Sequence, residues 1–570
     1  MSSPQYPFLD VMLKHAIVHE QAGRLLEAEQ AYRSILDMQP NHADANHNLG
    51  VLTMKRGDAE LGLLHFKIAL KANPNRNDYW LSYASALLTA GQVQGAAVIL
   101  EQGKRRGLIG PAYHELVSQV QERLEAGISP SDSLALYAAA LEHHRTGHLP
   151  EAVDLYGKVI ALKPDFAEAH VNLGNALFSQ GELDKSITSL ARAMAIQPDS
   201  AKVHYHMGQV LEHQSKVGAA ISSYSRALEV NPDYVDAHFS LGNLFMRQRE
   251  LERAIASYNN ALNIKSDFAE AHYCLGSTLC EYNRVADGFA SFTRYAELVY
   301  GTVGSNAPNS ELSLPHKRQH DQEQRDYLAL SKACGSHPEI DAPYLLADGR
   351  RITTPAINRH NAADAAKQWQ TGKPQIVVID DLLTENALDK LRRFCWGSTI
   401  WRKVYDEGYL GALPEFGFAC PLLSQIAEEL RGTFPAIFGE HPLLYLWAFK
   451  YDSRLTGTKI HADQAVINVN FWITPDEANL DPNSGGLVIW DAAAPLDWAP
   501  AKYNADPEAA RAFLAQSGAR ARTVPYRSNR AVIFDSDLFH ETDRILFRDG
   551  YLNRRINITL LFGRRMPGAK

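Results

Sequence analysis

A proline recurs at a constant interval through much of the first half of this chain, and that spacing constrains the fold more than any other feature. The interval from Pro40 to Pro74 is the same as that from Pro164 to Pro198 and from Pro198 to Pro232. A small residue stands twelve positions before each of these prolines and before Ser266, at Ala28, Gly62, Ala152, Ser186, Ala220 and Ala254. Since proline ends a helix and small residues let two helices approach closely, the period predicts a stack of helical hairpins.

The hairpin pattern resembles the tetratricopeptide repeat, whose units are pairs of antiparallel helices that together take about 34 residues. The resemblance implies about eight units over residues 1–299, stacked into an all-α superhelix with a concave face that suits an extended ligand. One interruption is expected, because Leu108 stands where the next proline belongs and residues 108–130 precede the return of the period. We expect a helical spacer at this place, between two blocks of repeats.

Several repeats carry asparagines on the first helix of the hairpin. The segment Asn172-Leu-Gly-Asn175, together with Asn243, is similar to the repeat arrays of O-linked N-acetylglucosamine transferases, in which inward asparagines hold a peptide backbone. An amide both donates and accepts hydrogen bonds, so it can bind a main chain without selecting side chains. The resemblance implies peptide binding at these three asparagines, and a merely polar concave surface is the alternative.

Histidines also recur at the repeat interval, at His170, His204, His238 and His272. A regular series of imidazoles suggests a metal site or a pH sensor. In tetratricopeptide repeats, however, this position is usually a tryptophan or tyrosine wedged between the paired helices. We therefore interpret the four histidines as structural residues.

A different pattern stands near the end of the chain. His461 and Asp463 are separated by a single residue, and His540 follows much later in the sequence. In a strand, side chains two positions apart point to the same face, so His461 and Asp463 can reach one metal ion. Two histidines and one carboxylate make a facial ligand set with open positions, which is typical of non-heme Fe(II) oxygenases.

The neighbouring segments have the strand pattern that such a site needs. From Ile467 to Thr474, apolar residues alternate with more polar ones, which predicts a strand with two unlike faces. A Gly485-Gly486 pair opens a further apolar segment. Ligand order, strands and a late arginine together resemble the Fe(II)/2-oxoglutarate-dependent dioxygenases. The resemblance implies a double-stranded β-helix, or jelly-roll barrel, with flanking helices over residues 373–570.

The same resemblance assigns the ligands of the site. It implies that His461, Asp463 and His540 hold Fe(II), and that no catalytic residue is needed beyond these metal ligands. 2-Oxoglutarate and molecular oxygen are the expected co-substrates. Arg555 is expected to bind 2-oxoglutarate together with Tyr451, while Asn557 stands on the same strand face as Arg555 and joins this group.

Two adjacent arginines compete for the far carboxylate of 2-oxoglutarate. Arg555 alternates with Asn557 and Thr559, whereas Arg554 alternates with isoleucines of an apolar layer. Strand alternation therefore predicts Arg555 as the inward cation, and its planar guanidinium matches a carboxylate. The interval between His540 and Arg555 is longer than most members of the family have.

Residues 300–372, between the two regions, are predicted to be a linker. Gly301 to Ser310 is rich in turn-forming residues, and His320 to Cys334 is compatible with one helix. Gln375 to Asp381 predicts the first strand of the barrel domain. Residues 491–527 form a long insertion, which we expect to be a lid or a surface decoration.

Composition limits the classes of function. A net charge of -8 gives no basic footprint for nucleic acid or an anionic membrane. No apolar run is long enough to span a bilayer, and the first residues lack the pattern of a secretory signal. The five cysteines form no Cys-x-x-Cys pair, which favours a reducing compartment and a cytoplasmic location.

The sequence therefore favours an Fe(II)- and 2-oxoglutarate-dependent dioxygenase that hydroxylates a protein or peptide recruited by the repeats. Two alternatives stay open. One is an oxygenase that acts on a small or carrier-bound metabolite. The other is a non-catalytic tetratricopeptide scaffold with an inactive barrel.

Overall fold

The computed structural model describes residues 7–125, 132–301, 314–333, 344–455, 457–495, 498 and 506–564. The chain divides into two compact units, Met1–Pro232 and Asp233–Lys570. In the described ranges, no helix is both long enough and apolar enough to cross a membrane.

The described part of the first unit consists of helices. They are α1 (Pro7–Gln21), α2 (Leu25–Met38), α3 (Ala43–Lys55), α4 (Ala59–Ala72), α5 (Asn77–Thr89), α6 (Val93–Arg105), α7 (Pro111–Glu125), α8 (Asp132–Arg145), α9 (Leu149–Leu162), α10 (Ala167–Ser179), α11 (Leu183–Ile196), α12 (Ala201–His213) and α13 (Val217–Val230). With the exception of α7, consecutive helices pack as hairpins. Gly208 of α12 shows why small residues recur, because a Cβ atom at this position would lie 2.6 Å from the ring of Tyr224 on α13.

One hydrogen bond repeats at several prolines of the series. The side chain six residues later donates to the proline carbonyl, as Trp80 does to Pro74 at 2.8 Å and His204 does to Pro198 at 2.8 Å. His170 makes the same contact with Pro164. Tryptophan and histidine thus make the same hydrogen bond, which ties one hairpin to the preceding one. The interpretation of the recurring histidines as structural residues is confirmed at His170 and His204.

The interruption of the repeat period is an additional helix. Helix α7 packs against both α5 and α6, and α8 also packs against α6. The spacer predicted at residues 108–130 is therefore helical over Pro111–Glu125, while residues 126–131 lie outside the described ranges.

The second unit opens with two further hairpins, α14 (Val235–Arg247) with α15 (Leu251–Ile264) and α16 (Ala269–Glu281) with α17 (Val285–Tyr300). Phe289 and Phe292 of α17 share one apolar core with residues of the following β region. The boundary between compact units is therefore at residues 232 and 233. This division falls inside the series of helical hairpins, which continues to Tyr300, close to the predicted end at residue 299, because the repeat period reports helix pairing and not what covers the outside of the last hairpin.

Much of the predicted linker is packed structure. Helix α18 (Pro315–Ala333) matches the predicted helix but starts earlier, and α19 (Ala362–Thr371) follows it. Ala356 and Ile357, between these helices, are buried in the core of the second unit. Most of the turn-rich segment lies within residues 302–313, which are outside the described ranges.

The remaining helices and the strands complete the second unit. The helices are α20 (Glu385–Gly397), α21 (Pro421–Thr433), α22 (Pro435–Phe438) and α23 (Pro507–Ser517). The strands are β1 (Ile376–Ile379), β2 (Lys403–Tyr405), β3 (Tyr409–Ala412), β4 (Leu443–Tyr451), β5 (Arg454–Leu455), β6 (Ile467–Trp472), β7 (Leu487–Ala493), β8 (Ala521–Val524), β9 (Ala531–Asp535), β10 (Leu538–Thr542), β11 (Ile545–Leu546) and β12 (Ile556–Phe562).

All strand pairs in the described ranges are antiparallel, and they form three sheets. The largest has seven strands in the order β1-β9-β6-β12-β4-β3-β2, the second has the order β10-β7-β8, and β11 pairs with β5. The predicted insertion contributes α23 and β8, and its residues 496–497 and 499–505 are outside the described ranges.

The seven-stranded sheet separates two apolar cores. Val469 and Phe471 of β6 pack into the larger core together with the helices. Trp472 of β6 packs into the smaller core with Leu487 and Ile489 of β7. The second sheet therefore covers the face of the large sheet that the helices leave open, and the two sheets face each other.

Candidate metal centre

The backbone brings the two sequence-distant histidines together. His461 and His540 are paired as an isolated antiparallel bridge, in which His461 N–H donates to the His540 carbonyl at 3.0 Å and His540 N–H donates back at 2.8 Å. Asp463 N–H donates to the carbonyl of Ser536 at 3.2 Å. Main-chain hydrogen bonds at both ends of the His-x-Asp segment therefore fix its position next to the segment that carries His540.

The side chains of these three residues converge on one point. One ligand atom from each of His461, Asp463 and His540 can be chosen so that all three lie within 4.8 Å of one another. His540 Nε2 is 3.4 Å from Asp463 Oδ2, and the two imidazole centres are 4.3 Å apart. Among the residues that the structure describes, this is the one group of three such side chains close enough to share a metal ion.

The second nitrogen of each imidazole defines its tautomer. His461 Nδ1 is 2.9 Å from the carbonyl of Lys459, and His540 Nδ1 is 3.0 Å from the carbonyl of Leu538. A carbonyl only accepts, so both Nδ1 atoms carry a proton, which leaves the Nε2 atoms as the nitrogens available to a metal. That is the arrangement by which protein backbones usually orient histidine ligands of a metal.

The protonation states also suit a cation. Burial and the neighbouring His540 lower the pKa of His461, so its imidazole is neutral near pH 7. Burial would raise the pKa of Asp463, but the adjacent imidazoles of His540 and His461 and the hydrogen bond that Asn468 donates lower it from its ordinary value. The donor set is thus two imidazole nitrogens and one carboxylate oxygen, which fits a divalent transition metal.

A chain of amides orients the carboxylate ligand. Asn557 donates to Asn470 Oδ1 at 2.8 Å, Asn470 donates to Asn468 Oδ1, and Asn468 donates to Asp463 Oδ2 at 2.6 Å. Sequence reasoning did not assign a role to Asn468 or Asn470. The signal was present in the alternation of β6, because both asparagines occupy the more polar set of positions.

A cavity of about 540 Å³ lies next to the three ligands. One of its walls is aromatic and consists of Tyr405, Tyr409, Trp447, Phe449 and Tyr451. Polar residues line the rest, including Asn470, Thr542, Asn557 and Thr559, and the salt-bridged pair Lys459 and Glu407 also lines it. The arrangement can hold a ligand with polar and apolar parts beside the metal ligands.

Arg555 is fully buried immediately before β12. Its Nε donates to the Gly485 carbonyl at 2.6 Å and its Nη2 to the Gly486 carbonyl at 3.3 Å. Its third nitrogen, Nη1, is buried and has no hydrogen-bond partner within the described chain. Burial lowers the pKa of Arg555, and the guanidinium carbon lies 4.8 Å from the ring centre of Tyr451. The predicted cation thus packs against Tyr451, which lines the cavity, and is not itself among the lining residues.

Arg554 points away from Arg555, as strand alternation predicts. It forms ion pairs with Glu323 of α18 and with Asp452, each at 2.8 Å. The layer on this side is therefore polar at Arg554, where the sequence had suggested apolar packing. Alternation gives the direction of a side chain but not the carboxylates that a helix 231 residues earlier brings to it.

The other two predicted co-substrate residues line the cavity. The Tyr451 hydroxyl is 3.4 Å from Thr542 Oγ1, and burial raises the pKa of this tyrosine. Asn557 Oδ1 is buried without a hydrogen-bond partner in the described residues. Tyr451 and Asn557 are thus close to the metal ligands, and one unsatisfied acceptor remains for a ligand.

The three asparagines predicted to bind peptide make hydrogen bonds within the chain. Asn172 donates to the hydroxyl of Tyr137 at 2.7 Å, and Asn175 lies 3.1 Å from His206 Nε2. Asn243 accepts from the Tyr258 hydroxyl at 2.8 Å. Each amide therefore contacts another residue of the repeats.

Comparison with known proteins identifies the helical repeats. The family described as "TPR repeat" matches residues 140–181 and 174–215, and the family described as "Tetratricopeptide repeat" matches residues 13–63, 47–105 and 205–270. The helical part of this chain therefore carries tetratricopeptide repeats, as the period predicted. Such repeats are protein-interaction modules.

Curated relatives match short stretches only. Cellulose synthase 1 operon protein C from Komagataeibacter xylinus is 28% identical over 162 residues, which are 28% of this chain and 11% of that protein. Cellulose synthase operon protein C from the same organism is 31% identical over 71 residues, 12% of this chain and 5% of the relative. This chain thus spans about a tenth or less of the length of these relatives.

Solved structures show a similar partial overlap. MamA is 24% identical, with 28% of this chain and 93% of that chain covered and a TM-score of 0.26. The structure titled "YrrB: a TPR protein with an unusual peptide-binding site" is 18% identical, with 31% and 91% covered and a TM-score of 0.27.

Proposed function

We propose that this protein is an Fe(II)- and 2-oxoglutarate-dependent dioxygenase that hydroxylates a protein or peptide recruited by its repeats. The observation that carries the proposal is the convergence of His461, Asp463 and His540 within 4.8 Å. Two imidazole nitrogens and one carboxylate leave coordination positions open, which is the ligand set of non-heme Fe(II) oxygenases. Two antiparallel sheets that face each other are compatible with the double-stranded β-helix of that family.

The buried guanidinium of Arg555 supports an acidic co-substrate. No carboxylate of the described residues forms an ion pair with it: its acidic neighbours are the hydroxyls of Tyr451 and Tyr526, whose own pKa values burial raises, and Asp543, which acts on it most weakly. An uncompensated buried charge is costly, so a carboxylate ligand would stabilise the site. The Nη1 atom, which has no partner in the described residues, supplies the donor, and the guanidinium packs against Tyr451, which lines the cavity.

Each part of the site has a task in this reaction. His461, Asp463 and His540 would hold the metal, and the amide chain that ends at Asn468 would keep the carboxylate oriented. When bound, Fe(II) supplies the redox chemistry by which one atom of O₂ enters a C–H bond of the substrate while the other enters succinate, with release of CO₂ from 2-oxoglutarate. The aromatic wall would exclude water and position the apolar part of the substrate.

A protein or peptide is the favoured substrate class because the enzyme site and the repeats belong to one chain. Helices α16 and α17 share the apolar core of the β region, so the last repeat hairpin is packed onto the domain that carries the triad. Tetratricopeptide repeats typically bind protein or peptide partners. A partner held by that hairpin would be near the sheets of the same unit.

The test is turnover by protein purified without oxygen and reconstituted with Fe(II). With 2-oxoglutarate, O₂ and a panel of peptides, we expect succinate and a peptide product that has gained one oxygen atom. Asp463→Ala should abolish both, whereas Asp549→Ala, an exposed acid outside the site, should leave both unchanged. Succinate formation by Asp463→Ala at the wild-type rate would refute the assignment, and oxidation of small metabolites only would refute the substrate class.

A further inference from the structure

The first unit contains an open groove of about 710 Å³, lined by residues that precede and follow the additional helix in the sequence. Its floor is mostly apolar and includes Trp80, Leu87, Ile99 and Ala139. The groove runs between α4, α5 and α6 on one side and α8 on the other. It is separate from the candidate metal centre, which lies in the second unit.

The interruption of the repeats accounts for the groove. In a regular array, the first helix of the next repeat packs against both helices of the preceding hairpin. Here α7 contacts α5 and α6, and α8 is left to pack against α6. The apolar surface between α8 and the earlier helices is therefore not closed by a neighbouring hairpin.

Exposed leucines extend the apolar surface beyond the groove. Leu134 and Leu141 of α8 are 62% and 41% exposed, and they lie on the same helix face as Ala138, which lines the groove. Leu64 of α4 is 52% exposed and shares a face with Lys67 and Lys71. Large apolar side chains that cluster in this way mark an interaction surface more often than isolated ones do.

The rim of the groove is basic. Lys67, Lys71, Arg106 and Arg145 line it, against the single carboxylate of Glu142. Arg145 is paired with Glu142 at 2.6 Å. The other three cations have no ion pair within the described parts of the chain, although Lys67 acts on Glu142 from a longer distance. The rim therefore keeps a surplus of positive charge for a partner.

We propose that this groove binds an amphipathic helix of another protein, with acidic residues along the edge of its apolar face that meets α4 and α6. The walls are helices, so they offer no strand edge with which an extended peptide could pair. A partner that enters an apolar groove must satisfy its own main-chain hydrogen bonds, and a helix does so. An acidic edge matches the surplus of lysine and arginine on the α4 and α6 side of the rim, and an apolar stripe covers the floor and the exposed leucines.

The test uses the full chain and a phage-displayed library of helical peptides of about five turns with randomised exposed positions. We expect the selected peptides to carry an apolar stripe and a net negative charge. Their affinity should fall about tenfold for Lys71→Glu/Arg106→Glu, because two weak attractions become repulsions. Ala138→Trp, at an exposed helix position that lines the groove, should abolish binding by filling it.

A matched control separates the groove from net charge. Lys104→Glu/Arg192→Glu changes the charge by the same amount at two exposed positions outside the groove, and it should leave affinity unchanged. The proposal would be overturned if no selected peptide lost affinity for the groove variants. It would also be overturned if the selected peptides were neutral or basic. Equal losses in the groove and control variants would overturn it too, because the effect would then be one of long-range charge. None of these outcomes bears on the metal centre, so the two proposals fail independently.

Discussion

Replacement of Arg555 by methionine is predicted to weaken 2-oxoglutarate binding selectively. The guanidinium uses Nε and Nη2 on the carbonyls of Gly485 and Gly486 and leaves Nη1 without a partner in the described chain. A charge-assisted hydrogen bond from that nitrogen to a carboxylate contributes about 1.5–3 kcal/mol. The apparent KM for 2-oxoglutarate should therefore rise from roughly tenfold to over a hundredfold, with iron binding unchanged.

The adjacent arginine is the matched control for this prediction. Arg554 is committed to ion pairs with Glu323 and Asp452, so Arg554→Met should lower Tm and leave the KM for 2-oxoglutarate nearly unaltered. The assay is succinate release as a function of 2-oxoglutarate concentration, together with calorimetric titration of 2-oxoglutarate into the metal-loaded protein. A raised KM for the Arg554 variant alone would show that the strand register is off by one. No effect from either variant would place the carboxylate elsewhere.

Three further predictions test the parts that support the site. Asn468→Ala removes a hydrogen bond to the carboxylate ligand and should weaken Fe(II) binding about tenfold to a hundredfold without unfolding, as measured by metal titration. Gly208→Val should overpack the hairpin, destabilise the fold by about 1–3 kcal/mol and so lower the calorimetric Tm. Gly218→Val should not, because the space around its Cβ is open. Equal losses of Tm in the two variants would contradict the close-packing argument. The hydrogen bond from Arg530 lowers the pKa of Asp380, although burial opposes this shift. The pair therefore stabilises the fold at neutral pH, and this contribution to stability is lost as the pH falls through the lowered pKa of Asp380. Asp380→Asn should then cost up to about 1 kcal/mol at neutral pH and show less further loss on acidification in denaturant titrations.

The sequence predicted local pairings better than the contacts between distant segments. The repeat period follows from packing inside one hairpin, so it predicted the helices and the structural role of His170 and His204. Alternation in a strand follows from backbone geometry, so it predicted the opposite directions of Arg554 and Arg555. Neither rule concerns surfaces outside the repeating unit, which is why the joining of Phe289 to the β-region core was missed.

The same limit applies to the candidate binding residues. The sequence could not show that Asn172 and Asn175 contact Tyr137 and His206, which stand 35 and 31 residues away in neighbouring repeats, and peptide binding by these asparagines stays a prediction. The basic groove was not predicted either, since it arises from the packing of α7 and α8 against one helix. The sequence predicted the position of the extra segment, but it did not predict the groove that this segment leaves on the surface.

The most direct test of the metal centre is anaerobic titration of the full-length protein with Fe(II). Wild-type protein should bind an equimolar amount of Fe(II), and His540→Ala should lose that binding while its circular dichroism spectrum stays the same. His360→Ala, an exposed histidine outside the site, should bind as the wild type does. Equal Fe(II) binding by wild type and His540→Ala would contradict the assignment of the triad as the metal centre.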